Sequence, residues 1–143
     1  MRQQLIKLLN NHNSIEKGIQ IPLSICEYVD KIIYFSTIIP YYQRGEIIAF
    51  ISYYNNDVLN ENSFLTMILV SKDYQGRGIG KLLLELSIKD LKKSGFKTYS
   101  LEVLKSNKKA IVLYLSYGFI QKEDRGNLWL MQMDLQLAIF YSL

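Results

Sequence analysis

The amino-acid sequence predicts an α/β domain, in which a mixed β-sheet is combined with helices, and three patterns support this fold class. Two runs rich in β-branched and aromatic residues, 35–42 and 46–54, are separated by Arg44-Gly45, which is typical of an antiparallel hairpin. Residues 63–70 are nearly continuously apolar, as in a central strand covered on both faces. This strand is followed by a glycine-rich loop and then by the apolar spacing of a helix.

The N-terminal elements have local signals of their own. Residues 2–10 form a weak helical pattern, and Pro22 stands at or just before the start of a second helix. Ser24 and Glu27 have capping-box spacing there, ahead of apolar positions 28, 29, 32 and 33. Pro40 restricts its strand to a sheet edge or a bulge, because proline has no N–H to donate.

The second half of the chain alternates between helical and strand patterns. These are a helix from Ile79 to Lys93, a strand at 96–104, a helix that follows Asn107, and strands at about 119–122 and 128–134. Gly95 and Gly118 are expected to end the two helices, and Asn107 occupies the N-cap position of the second. The polar residues 123–127 predict a turn between the last two strands. No repeat or linker divides the chain, so we expect one domain over residues 1–143.

Composition argues against several classes of protein. The single cysteine, Cys26, excludes an internal disulfide, and we expect it to be a buried apolar side chain. The only histidine, His12, lies in a polar run, so we expect no metal site. The N-terminal apolar run is too short for a signal peptide and no run of about 18 apolar residues exists. We therefore expect a cytoplasmic protein with no membrane partner.

The net charge of +4 permits an anionic partner. The lysines are spread over the predicted helices instead of forming a dense block. We therefore do not expect nucleic acid to be the partner.

The segment from Gln75 to Lys81 carries three glycines, Gly76, Gly78 and Gly80, at the start of a predicted helix. A helix start leaves about four backbone N–H groups unpaired and attracts anions, above all phosphate. Glycine lets a ligand approach closely and accepts positive φ. The spacing is neither that of the dinucleotide fingerprint G-x-G-x-x-G nor that of a P-loop, which would need glycine at 75 and Ser or Thr at 82. The loop therefore indicates either a phosphate site that is of neither type or a flexible surface turn.

Two segments together resemble the GCN5-related N-acetyltransferase superfamily. Residues 75–80, QGRGIG, are similar to the family's Q/R-x-x-G-x-G/A acyl-CoA signature, which follows a hydrophobic strand. Residues 101–119, LEVLKSNKKAIVLYLSYGF, are similar to the family's later strand, Asn-led helix and Gly-Phe ending. Both matches lie within residues 63–119, and together they are far more specific than either alone.

The resemblance implies a central twisted mixed sheet of about six or seven strands with helices on both faces. It also implies an N-acetyltransferase with acetyl-CoA as co-substrate and no metal, the acyl-CoA entering where the fourth and fifth strands splay apart. The pantetheine arm would run beside Leu69 and Val70, with Asn107 hydrogen-bonded to it from across the gap. The diphosphate would lie on the backbone N–H groups of the loop, which comprises Gln75, Gly76, Arg77, Gly78, Ile79, Gly80 and Lys81.

Acyl transfer to an amine needs a neutral nitrogen, a polarised thioester carbonyl and a proton for the departing thiolate. By the resemblance Tyr114 is the general acid; it lies seven residues after Asn107, so both side chains project from one helix face. The alternative is that Tyr114 only packs on the sheet. The resemblance implies that the Val70 N–H polarises the thioester carbonyl. The general base is left open between Glu61, Asp57, Glu102 and water.

No motif identifies the acceptor. We expect direct transfer, in a ternary complex, to a primary amine of a small molecule, with a protein amine acetyltransferase and a non-catalytic acyl-CoA-binding module as alternatives. The apolar residues 135–143 either complete the core or meet another subunit, which leaves a homodimer open. Six tyrosines suit a pocket for an amino sugar or nucleotide-linked sugar, and suit the core and sheet surface equally: Tyr28, Tyr34, Tyr41, Tyr42, Tyr53 and Tyr54.

Overall fold

The computed structural model describes residues 1–16 and 24–137. Pro22 and residues 138–143 of the predicted C-terminal segment lie outside these residues. The helices are α1 (Arg2–Glu16), α2 (Ile25–Phe35), α3 (Ile79–Lys93) and α4 (Lys108–Ser116), and a short 3₁₀ turn spans Lys72–Tyr74. The strands are β1 (Thr37–Gln43), β2 (Glu46–Tyr54), β3 (Asn62–Val70), β4 (Thr98–Leu104), β5 (Ile120–Arg125) and β6 (Leu128–Asp134).

The described strands pair in the order β1-β2-β3-β4-β6-β5. The pair β3 and β4 is parallel, while β1 with β2, β4 with β6 and β5 with β6 are antiparallel. The sheet is therefore mixed, and the predicted fold class is confirmed. The strand before the glycine loop is β3 and the strand after the next helix is β4. By the resemblance, the two strands expected to splay apart correspond to β3 and β4, whose register pairs 62–64 with 98–100 at the start of each strand.

The contacts divide the chain into two compact units. Unit 1 comprises Met1–Tyr53 and Met67–Leu84, and unit 2 comprises Tyr54–Thr66 and Glu85–Leu143. The strand β3 and the helix α3 each contribute residues to both units.

Unit 1 is built on the apolar sides of α1 and α2. Leu5, Val29, Ile32 and Phe50 are fully buried in its core. Ser24 caps the start of α2 as predicted, since the Glu27 N–H donates to Ser24 Oγ at 3.2 Å. The Glu27 carboxylate accepts from the Ser24 hydroxyl at 3.0 Å, which differs from the backbone bond of a standard capping box. The first helix ends at Glu16, well beyond the predicted residue 10.

The predicted hairpin joins β1 and β2 through Arg44-Gly45. Both residues have positive φ, 53° and 80°, as in a type I′ turn, which matches the right-handed twist of the two strands. Pro40 lies on β1, whose pairing in the described chain is with β2, and the register shifts between Tyr41 and Tyr42. The prediction of an edge strand for Pro40 is confirmed.

Unit 2 packs β4 against the helical residues of the same unit. The buried Tyr99 hydroxyl donates to Ser87 Oγ on α3 at 2.9 Å, and the rings of Tyr99 and Phe119 lie 5.6 Å apart. Both predicted glycine stops are confirmed, with φ of 84° at Gly95 and 99° at Gly118. In each case a backbone N–H bonds a carbonyl five residues earlier and closes the helix end: Phe96 N–H donates to Leu91 C=O at 3.0 Å, and Phe119 N–H donates to Tyr114 C=O at 3.1 Å.

Three local predictions were wrong. Cys26 is exposed rather than buried, because Tyr28, Val29 and Ile32 form the buried side of α2. The strand β3 is well covered on one face only, since buried and partly exposed residues alternate along it. Residues 123–125, expected in a turn, belong to β5, and the turn is confined to 126–127. Cross-strand pairing with β6 overrides their low strand propensity.

Candidate active site

The glycine loop of unit 1 lies between β3 and α3. Gly76 and Gly78 have φ of 78° and 81°, values that L side chains rarely adopt. A Cβ at either position would meet no atom within 4 Å, whereas a Cβ at Gly80 would lie 3.8 Å from Val70 Cγ2, an ordinary contact. Backbone conformation therefore requires glycine at 76 and 78, and their α-carbons face open space.

Short hydrogen bonds fix the loop to the end of β3. The Ser71 N–H donates to the Ile48 carbonyl at 2.8 Å, and Tyr74 N–H donates to the Ser71 carbonyl at 2.9 Å. The Gln75 side-chain amide donates to the Val70 carbonyl at 3.1 Å. The Arg77 guanidinium lies over the Tyr74 ring, 5.0 Å from its centroid, in a cation–π contact. The loop is thus anchored to β2 and to the end of β3, and contacts among its own residues add to this.

The start of α3 presents its first backbone N–H groups to the loop. The helix ladder begins with the Leu82 N–H donating to the Gly78 carbonyl at 3.0 Å. The N–H groups of Ile79, Gly80 and Lys81 precede that bond, and at a helix start such groups attract an anion. Lys81 adds an exposed cation to the same turn. This arrangement can bind phosphate.

The predicted pantetheine neighbours of unit 1 lie at the end of β3. Leu69 is 5% exposed and Val70 is partly exposed. The Val70 carbonyl accepts the Gln75 side chain, so the loop and the strand end share one hydrogen-bonded structure.

Asn107, in unit 2, caps α4 as predicted. Its Oδ1 accepts the Ala110 N–H at 3.2 Å, which ties up the carbonyl oxygen of the side chain. Asn107 is exposed, and its amide nitrogen is the group left to donate to a ligand.

Tyr114 lies on α4 seven residues after Asn107. Its ring packs edge-on against Phe119 at 5.6 Å, and it is partly buried. Burial raises the pKa of Tyr114 to about 12, because the anion would lose its hydration. The phenol is therefore protonated throughout the neutral range and able to donate a proton or hydrogen bond.

A second tyrosine, Tyr117, lies directly after α4 and makes a different contact. The Tyr117 hydroxyl donates to Glu85 on α3 at 2.6 Å. Burial and the Glu85 carboxylate raise the pKa of Tyr117 to about 12. This bond ties α4 to the part of α3 within unit 2.

The three predicted base candidates have different surroundings in unit 2. Backbone N–H groups of Asn62 and Leu59 donate to Asp57 at 3.0 and 3.1 Å and lower the pKa of its carboxyl. Glu61 pairs with Lys97 at 3.4 Å. Glu102 lies on β4 and pairs with Arg125 at 3.3 Å.

The tyrosines predicted to suit a sugar pocket are scattered. Tyr28 and Tyr53 are buried in the core, and Tyr34 is 81% exposed. Tyr54 lines a cavity of about 350 Å³ in unit 2. Core and surface positions account for the others.

The sequence analysis missed Arg125, because it placed this residue in a turn. It lies at the end of β5, lines the same cavity and contacts both Glu102 and Glu123. The signal was the alternation of Glu123 and Arg125, which puts both side chains on one face of a strand.

No group of three or more His, Cys, Asp and Glu side chains that could hold a metal ion occurs in residues 1–16 and 24–137. Within the same residues, no helix is long and apolar enough to cross a membrane.

Comparison with known proteins gives the family. The profile of the acetyltransferase (GNAT) family matches residues 7–119, most of the chain. The chain belongs to this family. The resemblance carried by residues 75–80 and 101–119 is thus confirmed at the level of the GNAT superfamily and its fold.

Curated relatives and solved structures agree with this assignment. Over 85 residues, 59% of this chain and 55% of the relative, the GNAT chain is 41% identical to the [ribosomal protein bS18]-alanine N-acetyltransferase of Escherichia coli K12. It is 32% identical over 84 residues to a protein of Bacillus subtilis subsp. natto named probable spermine N(1)-acetyltransferase, covering 54% of this chain and 55% of that one. The chain therefore spans about half the length of the curated relatives it matches. The crystal structure of the E. coli ribosomal-protein-S18-alanine N-acetyltransferase is 30% identical, with a TM-score of 0.72, over 89% of this chain and 87% of that chain.

Proposed function

We propose that this GNAT chain is an acetyl-CoA-dependent N-acetyltransferase that transfers acetyl directly to a primary amine in a ternary complex. The observation that carries the proposal is the loop with positive φ at Gly76 and Gly78, directly ahead of the free N–H groups of α3. Such a row of N–H groups at a helix start fits a diphosphate. Membership of the GNAT family favours the diphosphate of acetyl-CoA over that of another nucleotide.

The binding roles follow from the groups that each residue has left to offer. The N–H groups from Gln75 to Lys81 would hold the diphosphate, and Leu69 and Val70 would line the pantetheine arm. The Asn107 amide nitrogen would donate to a pantetheine carbonyl, because its oxygen is already taken by Ala110.

Tyr114 is the proposed general acid. The amine nitrogen forms a bond to the thioester carbonyl carbon while the carbon–sulfur bond breaks, and the phenol donates its proton to the departing thiolate. The raised pKa of Tyr114, about 12, keeps that proton in place until the thiolate develops. The Val70 N–H would donate to the carbonyl oxygen.

Glu102 is the proposed base among the three candidates. Asp57 is held by backbone N–H groups that lower its pKa, so it accepts a proton poorly. Glu61 lies one residue before β3 and forms an ion pair with Lys97. Glu102 instead projects from the middle of β4 towards the cavity-lining Arg125. Its role would be to take a proton from the substrate ammonium, directly or through water, so that the neutral amine can attack.

The acceptor is proposed only as a primary amine. The two curated relatives are named for an alanine of a ribosomal protein and for spermine, which are both amines. An amino sugar was expected from the tyrosines, but these are divided between core, surface and one cavity. Among the described residues, these tyrosines therefore do not support the expectation of a small-molecule acceptor.

Two measurements on one sample test the proposal. Calorimetric titration with acetyl-CoA, with ATP and NAD as controls, should show selective binding, and thiol release should follow on an amine from a panel of peptides, polyamines and amino sugars. Replacing Tyr114 by Phe should lower kcat by about 10²- to 10⁴-fold and leave acetyl-CoA affinity unchanged. Binding without release on any amine would favour the non-catalytic module, and absence of binding would refute the proposal.

A further inference from the structure

A cavity of about 350 Å³ lies on one face of the sheet of unit 2. Phe64 and Leu130 form its apolar wall, with Tyr54 from the end of β2. Asn62, Ser100 and Arg125 form its polar wall. Its volume is that of a site for a small ligand or a few residues of a peptide.

The strand register explains how Arg125 reaches this cavity. Leu130 on β6 pairs with Glu102 on β4 and with Glu123 on β5, so the two glutamates flank it on one sheet face. Arg125 lies two residues after Glu123 and so faces the same way. Its Nη1 donates to Glu102 and its Nη2 donates to Glu123, each at 3.3 Å.

The polar wall of the cavity has hydrogen-bond donors to spare. A guanidinium carries five N–H donors, and the two contacts of Arg125 leave the others available. Ser100 Oγ accepts from Gln132 at 3.0 Å, which leaves its own O–H to donate. The Asn62 carbonyl oxygen accepts from Thr98 at 2.8 Å, which leaves its NH₂. This wall suits a ligand with carbonyl oxygens.

We propose that Arg125 determines acceptor specificity and selects the α-amino group of a polypeptide over a polyamine; this rests on the proposed function. A peptide carries a carbonyl oxygen two bonds from the carbon that bears its amine, and Arg125 can donate to it. A polyamine has no oxygen to accept this bond, so only the peptide gains from the guanidinium. Arg125 also neutralises one of the two charges of Glu102 and Glu123, which would otherwise attract a polycation.

The test compares two acceptors on the full chain: a peptide that begins with alanine, and spermine. The assay is kcat/KM from thiol release with acetyl-CoA. In Arg125→Gln, the value for the peptide should fall by about ten- to a hundredfold, and the value for spermine should stay level or rise. Arg125→Lys keeps the positive charge but loses the planar geometry of the guanidinium. Compared with Arg125→Gln, it should recover more of the discrimination against spermine than of the kcat/KM for the peptide. Lys122→Gln, which removes a positive charge from the same strand, should leave the ratio unchanged.

Three results would overturn the proposal. Wild-type preference for spermine is one, and an unchanged ratio in Arg125→Gln is another. An equal fall for both acceptors is the third, because Arg125 would then act only by positioning Glu102. The contact can also be tested without turnover. Equilibrium binding of the peptide alone should be weaker in Arg125→Gln than in the wild type. Failure of the proposed function would appear separately, as wild-type protein that does not bind acetyl-CoA or that releases thiol with no amine of the whole panel. Acetylation of another amine of the panel, but of neither the peptide nor spermine, would overturn the role of Arg125 alone.

Discussion

Replacing Gly78 by alanine is the sharpest test of the loop, because Gly80→Ala provides a matched control two residues away. Gly78 has a φ of 81° with open space around its α-carbon. The φ of Gly80 is not positive, and its new Cβ would make an ordinary contact with Val70. The two variants add the same methyl group two residues apart, just before α3 and in its first turn, and they differ in backbone strain.

The magnitude follows from that strain. An L residue in the left-handed region costs about 1–2 kcal/mol, and the free loop of Gly78→Ala can relax to avoid this cost. The shape that binds the diphosphate is then less populated, so the apparent affinity for acetyl-CoA should fall by about five- to thirtyfold. Gly80→Ala should change affinity by less than about twofold.

The assay is calorimetric titration with acetyl-CoA, with thermal unfolding to confirm that each variant is folded. Gly78→Asn should bind better than Gly78→Ala, since asparagine enters the left-handed region more readily. If a folded Gly78→Ala protein binds acetyl-CoA like the wild type, the loop is not where the diphosphate lies. If Gly80→Ala loses as much as Gly78→Ala, crowding and not backbone conformation is the reason.

The remaining predictions concern the proton and local stability. In a tyrosinate absorbance titration, Tyr114→Phe should remove a component that ionises near its pKa of about 12; loss of amplitude near pH 10 instead would contradict its burial. Because this pKa is raised on folding, the stability it contributes is complete below about pH 10 and is lost as pH rises towards 12, which unfolding curves against pH would show. Arg44→Asn should raise the urea midpoint by relieving part of a left-handed strain of order 1 kcal/mol, whereas a lower midpoint would argue against the type I′ turn. Ser24→Ala should cost about 1 kcal/mol of unfolding free energy through loss of the cap on α2, and an unchanged midpoint would mean that the cap contributes nothing.

The parts of the fold that sequence predicted correctly depend on short-range chemistry. The cap at Ser24, the hairpin turn at Arg44-Gly45 and the glycine stops at Gly95 and Gly118 each involve a few neighbouring residues. The periodicity of apolar residues then gave the strands and helices between them. These signals are local, so they do not depend on contacts with distant parts of the chain.

The errors concern features that distant residues decide. Cys26 has apolar neighbours in sequence, but the rotation of α2 against the core of unit 1 leaves it exposed. Residues 123–125 resemble a turn in composition, and only their pairing with β6 makes them a strand. Arg125 was missed for the same reason. The roles of Tyr114, Asn107 and the loop stay predictions, which the variants above can test.

The outermost strands of the sheet bear on how the chain meets other copies of itself. On β1, Pro40 lacks an N–H and the register shifts after Tyr41, while all six residues of β5 are exposed, four of them charged. A further strand would meet an interrupted row of hydrogen-bonding groups on one side and would bury charges on the other. Growth of the sheet by addition of a second molecule is therefore disfavoured at both margins. Among the described residues, helices and loops are therefore better suited than strand edges to contact a second copy of the chain.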